Sequence, residues 1–287
     1  MRNILNNIFI GFTLMASMLV GCNPKGGDLT ALQDGQSDDA TTQTLANLNL
    51  AKPNLLNDKQ KLAQDTLEKA QGVESEKDKE KNKEKETLIA WITNKAQTDM
   101  ALINKYNNNI EDSEQYGMKL GVFKFLNNTD NNKPIHFVEN TRLRKQLYSS
   151  LDWSEDKIRK LGTILNTIGP NDGDHLAKTI LSAGINYAQG YFEWIIDITY
   201  ERKENLNKLT LRKLKNIKVN LEKIDKLRQK WINATNNIIS DYEANTDDIQ
   251  NNKQVLVKHV NSQYGTTFKH FIPNIQVLAQ NIEKILK

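Results

Sequence analysis

The chain has 287 residues, 38% of them hydrophobic and 26% charged, with a formal net charge of +4. That suffices for one domain of roughly 200 residues plus a tail, and the charge is too small to imply a nucleic-acid partner. The single cysteine, Cys22, excludes a disulfide within the chain, and the scarcity of glycine and proline (14 and 5) favours helices.

Residues 1–21 read as a secretory signal. Arg2 supplies a positive start, Ile8 to Val20 is almost wholly apolar, and Leu19-Val20-Gly21-Cys22 closes the run. A cysteine at the cleavage position marks a bacterial lipoprotein, cut between Gly21 and Cys22. The sulfur then carries a diacylglyceryl group through a thioether, and the freed amine can take a third acyl chain. The apolar run is short for a bilayer span, whereas two or three acyl chains anchor stably. Cys22 is therefore the expected membrane anchor. The 266 residues that remain (287 minus 21) lie outside the cytoplasm.

Residues 22–57 are expected to be a flexible tether. Gly26-Gly27, Gly35, Asp38-Asp39 and Thr41-Thr42, with leucines at no sustained period, cannot bury enough apolar area to offset their ordering entropy. Such a coil spans about 30–35 Å. Residues 58–86 form a charged lead-in. Asp58 can cap a short helix to Gln71, with Leu62, Ala63 and Leu67 on one side. Glu76 to Glu86 holds five acids and five bases, and reads as either a solvated helical extension or a continuation of the tether.

From 87 to 287 the pattern is helical. Leu88, Ile92, Ala96 and Ile103, with Trp91 and Met100 beside them, make a stripe that ends near Asn107-Asn108-Asn109. Asp112 and Ser113 can cap a helix carrying Tyr116, Leu120, Phe123 and Leu126. A polar loop, 127–134, leads to a helix over 138–151 with Leu143, Leu147 and Tyr148. Ser154-Glu155-Asp156 opens the next, a capping serine followed by two acids where the dipole favours them. It carries Ile158, Leu161, Leu165 and Ile168 and stops at Gly169-Pro170.

After a turn capped by Asp172 or Asp174, His175 to Asn205 reads as one long helix, apolar on several sides and therefore central. Gly184 and Gly190 would let a neighbour approach closely. Leu211 to Tyr242 has the cleanest period: Leu214, Ile217, Leu221, Ile224, Trp231, Ile238 and Tyr242, with Arg228 and Thr235 in the two remaining slots. This is either an amphipathic helix packed along the bundle or a self-dimerising coiled coil. Asp247-Asp248 caps a further helix with Ile249, Leu256 and Val260 inward and Gly265 at its end. A last helix starts near Ile272, with Pro273 in its first turn. The expected fold is an all-α bundle of about seven or eight helices with a long central pair, preceded by a disordered tether.

No catalytic motif, metal-ligand spacing or cofactor fingerprint is present, so neither an enzyme nor a cofactor is expected. The four histidines, His136, His175, His259 and His270, are far apart in sequence. The feature with chemistry is electrostatic. Glu201 to Lys230 holds 11 Lys or Arg against four acids. Its candidate binding face comprises Arg202, Lys203, Lys208, Arg212, Lys213, Lys215 and Lys218. It suits a sulfated glycan or an acidic protein surface, or is simply a solvated face.

The order of elements resembles the surface lipoproteins of Lyme-disease spirochaetes. The nearest likeness is to paralogous family 54, which includes the complement-regulator-acquiring surface protein CspA. Leu221-Glu-Lys-Ile-Asp-Lys-Leu-Arg-Gln-Lys-Trp231 and Ile238-Ile-Ser-Asp-Tyr-Glu-Ala-Asn245 carry that resemblance, and Leu181 to Asn205 fits as well. It implies an all-α fold on the outer surface of the cell outer membrane. Some members bind complement factor H, other complement proteins or plasminogen, and several have no known ligand. Relatives of CspA dimerise through one long C-terminal helix, which Gly265 and Pro273 interrupt here. The resemblance thus carries over fold and location, but no ligand-contact residue. The expected protein is a lipid-anchored surface molecule, monomer or weak homodimer, that binds a host protein in immune evasion. The alternative is a structural or periplasmic interaction lipoprotein without a host ligand.

Overall fold

The computed structural model describes residues 55–169 and 175–287, with side chains from Glu76 onward. The signal peptide, Cys22, the tether up to residue 54 and the turn with Asp172 and Asp174 lie outside the described residues. The chain divides into two units, Met1–Glu76 and Lys77–Lys287. The first contributes helical backbone from Leu55. The second contains the hydrophobic core.

The fold is all-α, and no β-strand occurs among the described residues. Helix α1 (Leu55–Asn108) includes the charged 76–86 stretch, so of the two sequence readings the helical one holds. Its Glu, Lys and Ala residues are good helix formers. Leu88, Ile92, Ala96 and Ile103 are its buried stripe.

The helix expected after Asp112 does not form. Gln115 and Tyr116 adopt left-handed backbone (φ 52° and 58°), which breaks the path into a 3₁₀ turn at Gln115–Gly117 and the single-turn helix α2 (Val122–Phe125). Asp112 does cap: its Oδ1 accepts from the amides of Glu114 (2.9 Å) and Tyr116 (3.3 Å), but it closes a turn. Val122 and Phe123 are buried, while Leu120 is left 70% exposed. Arg144 ties this irregular region down. Its guanidinium makes a two-point contact with Glu111 (2.9 and 2.5 Å) and donates to the carbonyls of Ile135 and Phe137.

Helices α3 (Thr141–Ser150) and α4 (Glu155–Ile168) match the expected positions. Ser154 stands at the start of α4 without a side-chain capping bond, and Gly169 (φ 67°) ends it. The long apolar helix runs on from Leu176 to Glu201, but it changes geometry on the way. Helix α5 (Leu176–Ser182) passes into a π-helical segment, Ala183–Gly190, then α6 (Tyr191–Glu201), and a 3₁₀ stretch follows at Lys203–Lys208. A π segment pairs amides with carbonyls five residues back instead of four, as the Tyr191 amide does with the Asn186 carbonyl.

Helix α7 (Leu211–Glu243) begins at Thr210, whose hydroxyl accepts from the Lys213 amide at 3.3 Å. Leu214, Ile217, Leu221, Ile224, Trp231, Thr235 and Ile238 are all buried. That stripe is therefore used inside the chain's own core and offers no coiled-coil seam. Asp247 and Asp248 do not cap the next helix, because both adopt left-handed backbone. Asn252 does so instead, its Oδ1 accepting from Gln254 (3.0 Å) and Val255 (3.2 Å). Helix α8 (Lys253–Thr266) continues through Gly265 into a π turn at Thr267–Phe271, and α9 (Asn274–Leu286) starts after Pro273.

Trp231 sits at the centre. Its Nε1 donates to the Ser150 carbonyl (3.0 Å) and its ring meets Phe268 edge-on at 5.7 Å. Gly184 faces that indole: a Cβ there would stand 2.7 Å from Trp231 Cζ2 and 3.0 Å from Leu147 Cδ1. The close approach anticipated at Gly184 is real.

Candidate interaction surface

The basic run on and before α7 is divided by the fold. Successive residues of a helix point 100° apart, so one basic segment feeds three different surroundings. One set turns toward the Glu84–Lys95 stretch of α1, whose contacts with α7 advance in the same direction along both helices. Lys215 pairs with Glu84 at 2.6 Å, and Lys218 lies 5.2 Å from the Trp91 ring centre while approaching Glu222 at 3.8 Å. Further along, Lys95 of α1 bridges Asp99 (2.9 Å) and Asp225 (2.7 Å). Burial would lower the Lys95 pKa, but the hydrogen bonds to Asp225 and Asp99 outweigh it and hold it above the usual lysine value.

A second set is absorbed structurally. Arg202 donates to the carbonyl of Leu286 at 2.9 Å, placing a cation at the C-terminus of α9 where the helix dipole favours it. Lys203 lies over the Tyr200 ring, and Lys208 donates to Asn205. Arg228 is drawn inward. Its Nε donates to the Ala188 carbonyl (3.0 Å), Nη2 donates to Gln189 Oε1 (3.1 Å), and the guanidinium stacks 3.7 Å from the Phe192 ring centre. Burial pushes its pKa below the ordinary arginine value. Gln189 in turn donates to Glu193 Oε1, and Gln146 donates to Oε2 of the same carboxylate. The π segment supplies both Ala188 and Gln189.

The third set faces outward. Arg212, Lys223, Lys226 and Lys230 follow steps of eleven, three and four, and all are exposed. Val219, 44% exposed, lies on the same line. Lys213 is exposed as well. Of the seven predicted face residues Lys208, Arg212, Lys213 and Lys215 are exposed, Lys208 bonded to Asn205 and Lys215 paired with Glu84. The structure does not gather the seven into one site. The face that does form was missed because Lys223 and Lys226 gain their meaning from α9, and Lys230 from Phe271 just before it. Alongside α7, that helix contributes Asn274, Val277 and Leu278 to a groove of 370 Å³ with Lys223, Lys226 and Leu227.

The histidines do not converge. His259 meets Asp241 at 2.9 Å, and Tyr264 donates to the same Asp241 oxygen at 2.6 Å, a link between α8 and the end of α7. Burial, with that Asp241 contact, raises the Tyr264 pKa. Among the described residues no group of three His, Cys, Asp or Glu is placed to hold a metal ion.

Residues 100–287 match the family model described as Borrelia Bbcrasp-1 domain containing protein. The fold is similar to Borrelia burgdorferi outer surface lipoprotein BBA64, with 24% identity over 70% of this chain and 96% of that one, and a TM-score of 0.63. The Borrelia spielmanii protein BSA64 matches with 24% identity over 71% and 99% of the two chains, TM-score 0.63. Outer surface protein BBA65 of Borrelia burgdorferi matches with 21% identity over 69% and 100%, TM-score 0.64. A comparison with curated sequences finds no matching protein. With residues 100–287 of the helical head matched by that model, the chain belongs to the Borrelia Bbcrasp-1 domain family, as its sequence resemblance implied, and it shares its fold with the Borrelia proteins named above.

Proposed function

We propose that this protein is held on the outer surface of the cell outer membrane by acyl chains on Cys22. There it presents its helical head to host fluids and binds a host protein, a complement component or plasminogen being the classes the family suggests. The observation that carries this reading is the match of residues 100–287 to a spirochaetal surface-protein family, downstream of a lipoprotein signal ending at Cys22. The open cationic stripe of α7 and the groove beside it supply a surface of the kind such binding needs. No small-molecule chemistry is assigned to the head.

Two measurements test it together. Intact cells treated with protease should lose the head, and the full chain should retain a defined protein from serum. Complete protease resistance would favour the periplasmic interaction lipoprotein instead. An accessible head that retains no serum protein would defeat the host-binding half of the proposal.

A further inference from the structure

The groove between α7 and α9 has two chemistries side by side. Its floor is aliphatic: Leu227 and Leu278 are half-buried, and Val277 is 53% exposed. Its α7 rim is cationic. Lys223 and Lys226 line it directly, and Lys230 follows one turn on, its Nζ 3.5 Å from the centre of the Phe271 ring. Phe271 is itself 41% exposed. Of the α7 lysines, Lys215 and Lys218 are drawn into ion pairs, whereas Lys223 and Lys226 enter none among the described residues.

Exposed valine and phenylalanine gain free energy when a partner removes them from water. Lysines beside them can cover that apolar contact with their stems and keep their charges at its edge. From Val219 to Lys230 the row covers about 16 Å at 1.5 Å per residue, some three turns of helix. A helix bearing apolar residues at i, i+3, i+4 and i+7 would fill the floor, and acids flanking that stripe would meet the lysine rim. A sulfated glycan could engage the lysines but has nothing to set against Val277, Leu278 and Phe271.

We infer that this groove docks an acidic amphipathic helix of a partner protein, with Val277 and Leu278 as the apolar seat and Lys223 and Lys226 as the charge match. The inference deepens the proposed function and rests on the reading that the head binds proteins.

The test uses the full chain and a fluorescein-labelled peptide of about 18 residues, five turns, with leucines at the spacing above and glutamates on both flanks. Anisotropy at physiological salt reports binding. The double change Lys223→Glu, Lys226→Glu should weaken binding at least about tenfold, and Val277→Asp alone by a similar factor. All three side chains are solvent-exposed, so circular dichroism should match the parent chain. Arg212→Glu, on the same stripe but outside the groove, should bind as the parent does. Equal peptide affinity for the groove variants overturns the inference. So does a double variant that loses heparin retention while keeping the peptide, which would make the rim a glycan face. Serum retention is scored separately: its loss in the parent chain bears on the surface reading, while the peptide series alone decides the groove.

Discussion

Arg228 of α7 donates through Nε to the carbonyl of Ala188, 40 residues earlier in the chain, at 3.0 Å. The acceptor lies in the π-helical segment Ala183–Gly190, and the adjacent Gln189 takes a second bond from the same guanidinium. Arg228 occupies a position in the heptad stripe where a hydrophobic residue would otherwise stand. The departure from the apolar pattern on one helix answers the departure from α geometry on another. Gln189 then links the guanidinium to the buried carboxylate of Glu193.

Replacing Arg228 with methionine keeps the length and removes both donors. The Ala188 carbonyl and Gln189 would lose a charged partner in a poorly solvated site, so the loss should be about 2–3 kcal/mol. Arg228→Lys should recover only part of it, because a single ammonium cannot reproduce the fork. Urea unfolding measures both. A methionine variant as stable as the parent would show that the network contributes nothing net.

Gly184→Ala should be destabilising through overlap, since the new Cβ meets Trp231 Cζ2 at 2.7 Å and Leu147 Cδ1 at 3.0 Å. Overpacking of this kind costs about 1–3 kcal/mol. Trp231→Ala should cost more, about 3–5 kcal/mol, by opening a cavity in the core. If the double variant Gly184→Ala, Trp231→Ala were no less destabilised by the alanine at 184 than the single variant, the assigned clash would be wrong.

Asp112 gives a pH dependence with a defined sign. Its hydrogen bond from Arg159, at 2.9 Å, and those from the amides of Glu114 and Tyr116 hold its pKa below the ordinary aspartate value. A depressed folded-state pKa contributes stability that is present above the unfolded value, about pH 4, and disappears as pH falls through the folded one. Asp112→Asn should therefore flatten the stability curve below about pH 4 relative to the parent. The side chain is close to solvent, so the effect should be small and weaker in high salt. Parallel acid-unfolding curves for the two proteins would contradict this assignment.

Cys22→Ala removes the only thiol in the chain. On detergent phase separation of native-host cells, the parent should enter the detergent phase and the variant the aqueous phase, because acyl chains supply the proposed attachment. A variant that stays with detergent would mean that something other than this sulfur holds the protein to the membrane. No described helix is long and apolar enough to cross one.

Much of the architecture is legible in the residues alone. The heptad spacing of Leu214 through Ile238 predicts α7 with its buried face, because a helix must bury whatever its 3.6-residue period gathers on one side. Leu88, Ile92, Ala96 and Ile103 identify the inner face of α1 for the same reason. What tertiary packing decided is where that local logic yields. The left-handed backbone at Gln115 and Tyr116 overrides the capping signal of Asp112, and a π segment interrupts the α geometry of the long apolar helix where Arg228 meets it. The basic run is the clearest case. Composition shows a surplus of positive charge between 201 and 230, but charge in sequence has no direction until neighbours arrive. Packing α1 beside α7 matched Lys215 with a carboxylate and set Lys218 beside Trp91, the end of α9 took up Arg202, and the flank of α9 gave Lys223 and Lys226 an apolar groove to border.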